Sequence, residues 1–193
     1  MSGDLSLLAV DRLCAGWSRS GGPVVGPVSF AVQGGEILGL AGPNGAGKST
    51  LLAAISGAAQ VFSGGVTLAP GARLALQMQQ TPELSGIPLS GSELLRLTGA
   101  PATGLPPYLQ RRLFERLDRL SGGQRQCLHL WACLDAPGEV VLLDEPTNNL
   151  DPAGVEFLAT ALRQRAAQGA AIVLVSHDGE FLAAVCHRIE RLG

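Results

Sequence analysis

The segment from Gly42 to Ser49 carries the pattern G-x-x-x-x-G-K-S, which is the strongest chemical signal in the sequence. Glycines in such a loop let successive backbone N–H groups curve around an anion, and the helix that follows adds its positive N-terminal end. Lys48 is the only lysine among 14 basic residues, and its compact ammonium can reach between phosphates where a planar guanidinium fits less well. Ser49 supplies a hydroxyl for Mg²⁺. The loop therefore predicts a nucleoside triphosphate site.

The residues on either side of this loop indicate the elements that must position it. Glu36–Ala41 predicts a buried strand that enters the loop, and Ser49–Ile55 predicts a helix that leaves it and that Gly57 can end. Strand, loop and helix are the order that phosphate binding of this kind requires. The residues that we expect to contact the nucleotide are Gly42, Asn44, Gly45, Gly47, Lys48, Ser49 and Thr50.

A second chemical signal is the apolar run Val140–Leu143, which is followed by the two carboxylates Asp144 and Glu145. Such a run is typical of a buried strand in a parallel sheet, and acids at its carboxyl end lie where ligands bind in α/β folds. Asp144 is placed to hold Mg²⁺ through water, and Glu145 is placed to orient or deprotonate an attacking water. With Lys48 as the phosphate ligand, these acids predict hydrolysis of the bound triphosphate.

A second anion cradle is predicted where Ser121, Gly122 and Gly123 begin a helix that runs through about Leu134. Ser121 can cap this helix, and the two glycines leave backbone N–H groups open to an anion. Because the first loop already serves the phosphates of its own nucleotide, a second cradle indicates a second phosphate contact.

Leu120–Gln124 matches the signature motif of the ATP-binding cassette (ABC) ATPases, and the chain resembles this family from Leu7 to Leu192. In the family, two cassettes meet head to tail, and the signature of one contacts the γ-phosphate bound by the other. The resemblance implies that Ser121 and Gly123 contact a partner's nucleotide. It also implies an α/β fold of the P-loop NTPase type, with a mostly parallel core sheet flanked by helices, a small antiparallel β subdomain and a short helical subdomain.

The resemblance also implies which residues contact the adenine ring and the Mg²⁺ ion. Trp17, which we expect ahead of the first strands, matches the aromatic residue that stacks on adenine. Gln79 is our choice for the glutamine that senses Mg²⁺ and takes part in catalysis. Gln77 and Gln80 remain alternatives for that role.

Two further motifs of the family follow the acidic pair. Asp151 matches the D-loop, which contacts the nucleotide site, and it can also cap a helix that begins at Pro152. His177 follows the apolar run Ile172–Val175 and matches the switch histidine, which acts on the γ-phosphate. One departure lies on the signature helix, where the family usually shows a second arginine and this chain has Cys127. That change concerns the packing of the helix, since no chemical residue is missing.

The length of 193 residues fits a single ABC ATPase domain over 1–193, with a helical subdomain at about 81–135. Alternating residues in Val28–Val32 and Val66–Leu68 predict the small antiparallel sheet. Within the subdomain, Ser92–Leu97 begins one helix and a stripe of leucines predicts another. The stripe consists of Leu109, Leu113 and Leu117, and the remaining face, interpreted as a solvated basic surface, carries Arg111, Arg112, Arg116 and Arg119.

The composition excludes several classes of protein. With a net charge of −2, the chain has no general attraction for nucleic acid. The longest uncharged stretch, Ser49–Ala72, is interrupted by glycine and proline and does not predict a membrane span. Charged residues make up only 16% and the mean hydropathy is +0.26, which favours a subunit that buries surface against partners. The four cysteines lack metal-ligand spacing, so we interpret them as reduced thiols.

The resemblance predicts an ATP-hydrolysing subunit, with ATP and Mg²⁺ bound, that powers solute transport through a separate transmembrane permease subunit. The segment from Gln79 to Ser90 looks like that of importer ATPases for metal ions or cobalamin-type cofactors, a region that touches the permease in that family. The expected partners are the permease and a second copy of the cassette in a head-to-tail homodimer, without nucleic acid. The expected location is the cytoplasmic face of the inner membrane, reached only through the permease.

The main alternative is a soluble ABC ATPase that acts on the ribosome. Asp144–Asp151 and Ser176–Leu182 resemble the ABC-F translation factors. Those proteins carry two cassettes joined by a charged linker, which this sequence does not show. A third hypothesis is a nucleotide-gated scaffold without turnover, but Glu145, the candidate catalytic base, argues against it.

Overall fold

A five-stranded parallel sheet lies at the centre of the computed structural model, which describes residues 6–18, 20–78 and 88–193. The order of its strands is β5-β6-β7-β3-β8, and all four neighbouring pairs are parallel. The predicted mostly parallel core sheet is therefore confirmed. The strands are β3 (Ile37–Ala41), β5 (Leu74–Gln77), β6 (Val140–Asp144), β7 (Ala171–Val175) and β8 (Arg188–Arg191).

A smaller antiparallel sheet packs beside it, with the order β2-β1-β4. Its strands are β1 (Leu8–Gly16), β2 (Val25–Val32) and β4 (Gln60–Leu68). The prediction of this sheet is confirmed, but the expected position of Trp17 was wrong, because β1 precedes Trp17. The first strand was missed because its apolar alternation is interrupted where the pairing with both neighbours shifts between Val10 and Ala15.

Two apolar cores lie on opposite faces of the parallel sheet. Val141 and Leu143 of β6 face one core, and Val140 and Leu142 face the other. The alternation follows from the two-residue period of a strand, and it explains why all five residues of β6 are buried. One core contains the long helices, and the other contains the small sheet and the helix after β3.

Six helices surround the sheets in the part of the chain that is described. They are α1 (Lys48–Ile55), α2 (Gly91–Thr98), α3 (Pro107–Gln110), α4 (Gly122–Leu134), α5 (Pro152–Ala167) and α6 (Gly179–Val185). Ser121 caps α4 and Asp151 caps α5 through side-chain bonds to Gln124 N and Gly154 N, as the sequence predicted. None of these helices has the length and apolar character needed to cross a bilayer.

The predicted helix through Leu109, Leu113 and Leu117 was wrong. Helix α3 ends after four residues, and the chain reaches a 3₁₀ turn at Leu117–Arg119 through turns and extended backbone. The backbone N–H of Ser92 donates to Leu113 O at 2.7 Å, and Leu117 N donates to Leu89 O at 2.9 Å. Pairing with residues 89–92, which include the first residues of α2, therefore replaces the helix. The three leucines are buried in the same core as the stripe required, so the pattern identified burial rather than helix.

Candidate nucleotide site

A cavity of about 470 Å³ opens where the loop after β3 meets the carboxyl ends of β6 and β7. In an α/β sheet this edge is the usual position of a ligand site. The loop and α1 contribute Asn44, Gly45, Gly47, Lys48, Ser49 and Thr50 to its wall. The opposite wall carries Glu145, Asn148 and His177, and Val24 adds an apolar contact.

The backbone of the loop depends on Gly47, whose φ is +83°. A Cβ at this position would lie 2.6 Å from Val25 Cβ, so the loop approaches β2 closely. Gly47 is also the residue before α1 and has no side chain to cap it. The first N–H groups of α1 therefore remain available to an anion.

The ammonium of Lys48 bridges the mouth of the loop. Its Nζ donates to Gly42 O at 2.8 Å and to Pro43 O at 2.9 Å, and the residue is only 7% exposed. A phosphate oxygen offers the same ammonium a stronger, charge-assisted bond. The ammonium is thus held beside the N-terminus of α1. A phosphate at this position would accept bonds both from the ammonium and from the first N–H groups of the helix.

Glu145 and His177 form a hydrogen-bonded pair on the facing wall. Nδ1 of His177 lies 2.8 Å from Glu145 Oε2, and the backbone N–H of His177 donates to the same oxygen at 3.2 Å. The carboxylate side chain is 9% exposed, whereas the imidazole is 63% exposed. Glu145 has a φ of +48°, an uncommon conformation that turns the chain sharply after β6. The pair joins a buried base to an accessible ring at the cavity wall.

Asp144 directly precedes Glu145 in the chain, and Gln77 pairs in register with Leu143 of β6. Asp144 is completely buried at the end of β6 and pairs in register with Val175. Gln79, our choice for the glutamine that senses the metal, lies outside the described residues, as does Gln80. Gln77 is 6% exposed at the end of β5, and its side-chain amide has no hydrogen-bond partner in the described part of the chain.

The signature turn, by which we mean Leu120–Gln124, forms a capping box at the start of α4. Gln124 N donates to Ser121 Oγ at 3.2 Å, and Ser121 N donates to Gln124 Oε1 at 3.1 Å. A Cβ at Gly123 would lie 3.1 Å from the backbone oxygen of Asn149, so this turn packs against the loop that precedes Asp151. Among the described residues, the wall of the cavity includes no residue of this turn and not Asp151.

Trp17 follows the last residue of β1 and is 58% exposed. Two residues earlier, Ala15 O accepts a bond from Val24 N at 2.7 Å, and Val24 lines the cavity. This bond places the end of β1 next to a residue of the cavity wall, although Trp17 itself is not one of the residues that line the wall.

The histidines outside the cavity have other surroundings. Nδ1 of His187 accepts the backbone N–H of Ile37 at 2.9 Å, which joins the start of β8 to β3. Burial lowers the pKa of His129, and the charge of Arg125 lowers it further. A partly buried ring at this position fits the packing of α4.

A contact missed by the sequence analysis joins Tyr108, Cys127 and Asp151. Tyr108 is 43% exposed, and partial burial raises its pKa to about 12; its hydroxyl shares a hydrogen bond with the thiol of Cys127 and faces the charge of Asp151. A Cβ at Gly154 would lie 3.3 Å from Cys127 Sγ and 3.1 Å from Asp151 Oδ1. The cysteine that departs from the family pattern therefore packs between α3 and the N-terminus of α5.

Sequence reasoning also missed Val24 and Asn148 on the cavity wall. Val24 gave no chemical signal, because an apolar residue before a strand is ordinary. Asn148 lies between the acidic pair and Asp151, so its position in the chain could have indicated it.

Comparison with protein families supports the pattern of motifs. Residues 25–88 match a family model described as ABC transporter, and residues 110–183 match a model described as an AAA domain of the AbiEii toxin and Type IV TA system kind. The zinc import ATP-binding protein ZnuC of Cereibacter sphaeroides is 34% identical over 196 residues, which cover 96% of this chain and 78% of ZnuC. The hemin import ATP-binding protein HmuV of Rhodococcus jostii is 35% identical over 205 residues, covering 89% of this chain and 67% of HmuV.

Two further similarities bear on the function. The energy-dependent translational throttle protein EttA of Escherichia coli is 38% identical over 170 residues, which cover 82% of this chain but only 30% of EttA. Among solved structures, the ATP-binding subunit of an ABC transporter superposes with a TM-score of 0.82 at 28% identity, covering 97% of this chain and 86% of that chain. The chain therefore belongs to the ATP-binding cassette family and is an ABC ATPase.

Proposed function

We propose that this chain is the ATP-hydrolysing subunit that powers the uptake of a small solute through a separate transmembrane permease. The class of solute that we propose is a metal ion or a metal-containing cofactor. The observation that carries this proposal is the match to two import ATP-binding proteins over 78% and 67% of their own lengths. The match extends over most of the length of both relatives and is not confined to the residues of the nucleotide site.

Within the cavity, we assign the triphosphate to the loop and the N-terminus of α1. Lys48 would exchange its bonds to Gly42 O and Pro43 O for bonds to the β- and γ-phosphates. Gly45, Gly47, Ser49 and Thr50 line the wall on the same side. The adenine would lie toward Val24 and the end of β1, where the exposed indole of Trp17 would stack on it.

The residues present fit a magnesium ion. Ser49 offers a hydroxyl and Asp144 a buried carboxylate, and oxygen ligands of this kind, completed by phosphates and water, are those that Mg²⁺ prefers. We propose Gln79 as a further ligand, with Gln77 and Gln80 as alternatives. When bound, the ion would supply positive charge to the β- and γ-phosphate oxygens.

The Glu145–His177 pair accounts for hydrolysis. Both bonds from His177 go to Oε2 of Glu145, so Oε1 is the atom that can accept a proton from an attacking water. The accessible imidazole has its other nitrogen, Nε2, for a phosphate oxygen. A ring protonated on both nitrogens would donate to Glu145 through Nδ1 and to the γ-phosphate through Nε2, where negative charge develops.

We propose that the site is completed by a second copy of the chain. Ser121, Gly123 and Asp151 carry an open helix N-terminus and its neighbouring loop, yet they are absent from the described wall of the cavity. In a head-to-tail dimer, the α4 turn of one copy would contact the γ-phosphate held by the other. ATP would then join the two copies, and hydrolysis would separate them.

We further propose that residues 1–193 form one ATPase domain with a helical subdomain at about 81–135. That subdomain would face the permease, and the chain would sit on the cytoplasmic face of the inner membrane through that contact. No nucleic acid is expected as a partner.

The test of the transport proposal is recovery of a membrane partner. A tagged chain purified from native membranes in mild detergent should bring down a polytopic membrane protein, and the reconstituted complex should take up its solute only with ATP. The Lys48→Ala chain is the matched control, since it should still bind the partner but not drive uptake. Recovery of the chain without any membrane protein would contradict the proposal.

A second candidate function is action on the ribosome, favoured by the 38% identity to EttA. The match covers only 30% of EttA, which is why we rank this function second. A Glu145→Gln chain with ATP should sediment with ribosomes if this function is correct. The transport proposal expects it to remain at the top of the same gradient.

A further inference from the structure

The side-chain oxygen of Gln124 in the signature turn accepts two hydrogen bonds. One comes from Ser121 N at 3.1 Å and closes the capping box, and the other comes from Arg112 Nη1 at 2.6 Å. The capping box holds the Gln124 amide through one bond from a neutral backbone N–H. A second, charged donor on the same oxygen holds that amide in the rotamer that the turn needs.

Arg112 is itself fixed by Glu115. Nε donates to Glu115 Oε1 at 2.9 Å and Nη2 donates to Oε2 at 2.7 Å, so the pair is bidentate and leaves Nη1 for Gln124. The backbone beneath them is held too, because Glu115 O and Leu113 O accept bonds from the N–H groups of Gly91 and Ser92. The ion pair with Glu115 and these backbone bonds therefore fix the position of the guanidinium beside the turn.

We propose that Arg112 is a positioning residue for the signature turn and acts through Gln124 on Ser121. Ser121 Oγ accepts its bond from Gln124 N, so its own hydroxyl hydrogen remains available for a phosphate oxygen. Arg112 keeps the turn in the conformation that makes this donation to the opposite copy's nucleotide. This inference rests on the composite site proposed above.

The matched control is Arg116, four residues farther along. It forms a 2.6 Å ion pair with Asp118, and its side chain is 45% exposed. Arg112 pairs with Glu115 at 2.7 Å and is 34% exposed, so the two ion pairs are similar. Exposed pairs of this kind contribute little to stability. Arg112 makes two bonds that Arg116 lacks, the 2.6 Å bond to Gln124 and a long bond of 3.5 Å from Nη2 to Arg119 O. Because the bond to Gln124 is the short one, a difference between the two variants reports chiefly on the turn.

The experiment compares Arg112→Ala, Gln124→Ala, the double variant and Arg116→Ala, each in a Glu145→Gln chain. Sedimentation velocity gives the ATP concentration at half-maximal dimerisation, and a fluorescent ATP analogue gives the Kd of the isolated protomer. We expect Arg112→Ala to raise the ATP concentration needed for dimerisation by about tenfold, the effect of one lost charge-assisted bond. The protomer Kd and the thermal midpoint should stay close to those of Arg116→Ala.

The double variant shows whether Arg112 acts through Gln124. Adding Arg112→Ala to Gln124→Ala should change the ATP concentration at half-maximal dimerisation by less than about twofold, because the bond between the two side chains is already lost. Effects that multiply would overturn the inference, as would equal behaviour of Arg112→Ala and Arg116→Ala. If Arg112→Ala does not fold, Arg112→Gln keeps a long polar side chain without the bidentate pair and should show the same shift.

The parent chain separates this inference from the proposed function. If Glu145→Gln itself does not dimerise with ATP, both the composite site and the role of Arg112 are wrong. If the parent dimerises and Arg112→Ala needs no more ATP than the parent, only the role of Arg112 is wrong. In the chain with Glu145 intact, the KM for ATP should rise while kcat at saturating ATP changes less than about twofold.

Discussion

Nδ1 of His177 lies 2.8 Å from Oε2 of Glu145, although the two residues are 32 positions apart in the chain. The contact follows from the register of β6 and β7, which pairs Asp144 with Val175 and continues through a 2.9 Å bond from Glu145 N to Val175 O. Both strands therefore end at the same edge of the sheet, and the side chains of Glu145 and His177 meet at the cavity. The strands thus determine the geometry of the proposed catalytic pair.

Replacing His177 by alanine should lower kcat without a comparable loss of ATP binding. The ring supports Glu145 and lines the cavity, but it belongs to neither the loop nor α1. We expect kcat to fall about 100-fold, the scale of losing one transition-state donor, while the nucleotide Kd changes less than about threefold. Phosphate release at saturating ATP measures the first value. A kcat within twofold of the parent would remove His177 from the mechanism.

Replacing Lys48 by alanine should weaken nucleotide binding. The ammonium is 7% exposed, lies beside the N-terminus of α1 and donates to Gly42 O and Pro43 O, bonds that it would exchange for charge-assisted bonds to phosphate in the proposed site. Loss of such bonds predicts a Kd about 10- to 100-fold higher, measured by titration with a fluorescent ATP analogue. An unchanged Kd would contradict the assignment of the loop. Arg191→Ala, on the exposed end of β8, serves as the charge control.

Gly47→Ala and Gly45→Ala should differ in stability although both glycines have a positive φ. The φ values are +83° and +85°, but a Cβ at Gly47 would lie 2.6 Å from Val25 Cβ, whereas a Cβ at Gly45 would meet nothing within 4 Å. We expect the free energy of unfolding to fall by about 1 kcal/mol for Gly45→Ala, from backbone strain alone. For Gly47→Ala we expect it to fall by about 3 kcal/mol, because the clash with Val25 adds to the strain. Urea unfolding measures both. Equal losses would show that β2 yields to the new methyl group.

The single tyrosine of the chain provides a spectroscopic test of the packing between α3 and α5. Burial, the thiol of Cys127 and the charge of Asp151 raise the pKa of Tyr108 to about 12, so the folded chain keeps this proton when an unfolded one has lost it. Stability from this group is therefore complete below about pH 10 and is lost as the pH rises toward 12. Absorbance at the phenolate band should show almost no ionisation at pH 10.5 until denaturant is added. Ionisation with a midpoint near 10 in the folded chain would contradict the contact.

The sequence predicted those parts of the site that lie in consecutive residues. The loop around Lys48, the acids after β6 and the caps at Ser121 and Asp151 each depend on a few neighbouring residues, which the pattern contains in full. The fold class followed because the runs that form β6 and β7 are apolar throughout, as both faces of a central parallel strand require.

What the sequence did not predict depends on pairing between distant segments. The stripe of Leu109, Leu113 and Leu117 fits a helix by its period, but the backbone bonds of this segment go to residues 89–92 instead. The bond from Arg112 to Gln124 exists because that extended segment lies beside α4, so the arginines could only be interpreted as a solvated face. The choice among the glutamines stays a prediction, since Gln79 and Gln80 lie outside the described residues.

In the proposed site, ATP is held between two copies, by the loop of one and the signature turn of the other. Sedimentation velocity of the Glu145→Gln chain with saturating ATP tests it most directly, with Ser121→Arg in the same background as the control. We expect a species of twice the 19.9 kDa protomer mass for Glu145→Gln and protomers alone once Ser121 is replaced. Protomers in both samples, or dimers in both, would contradict it.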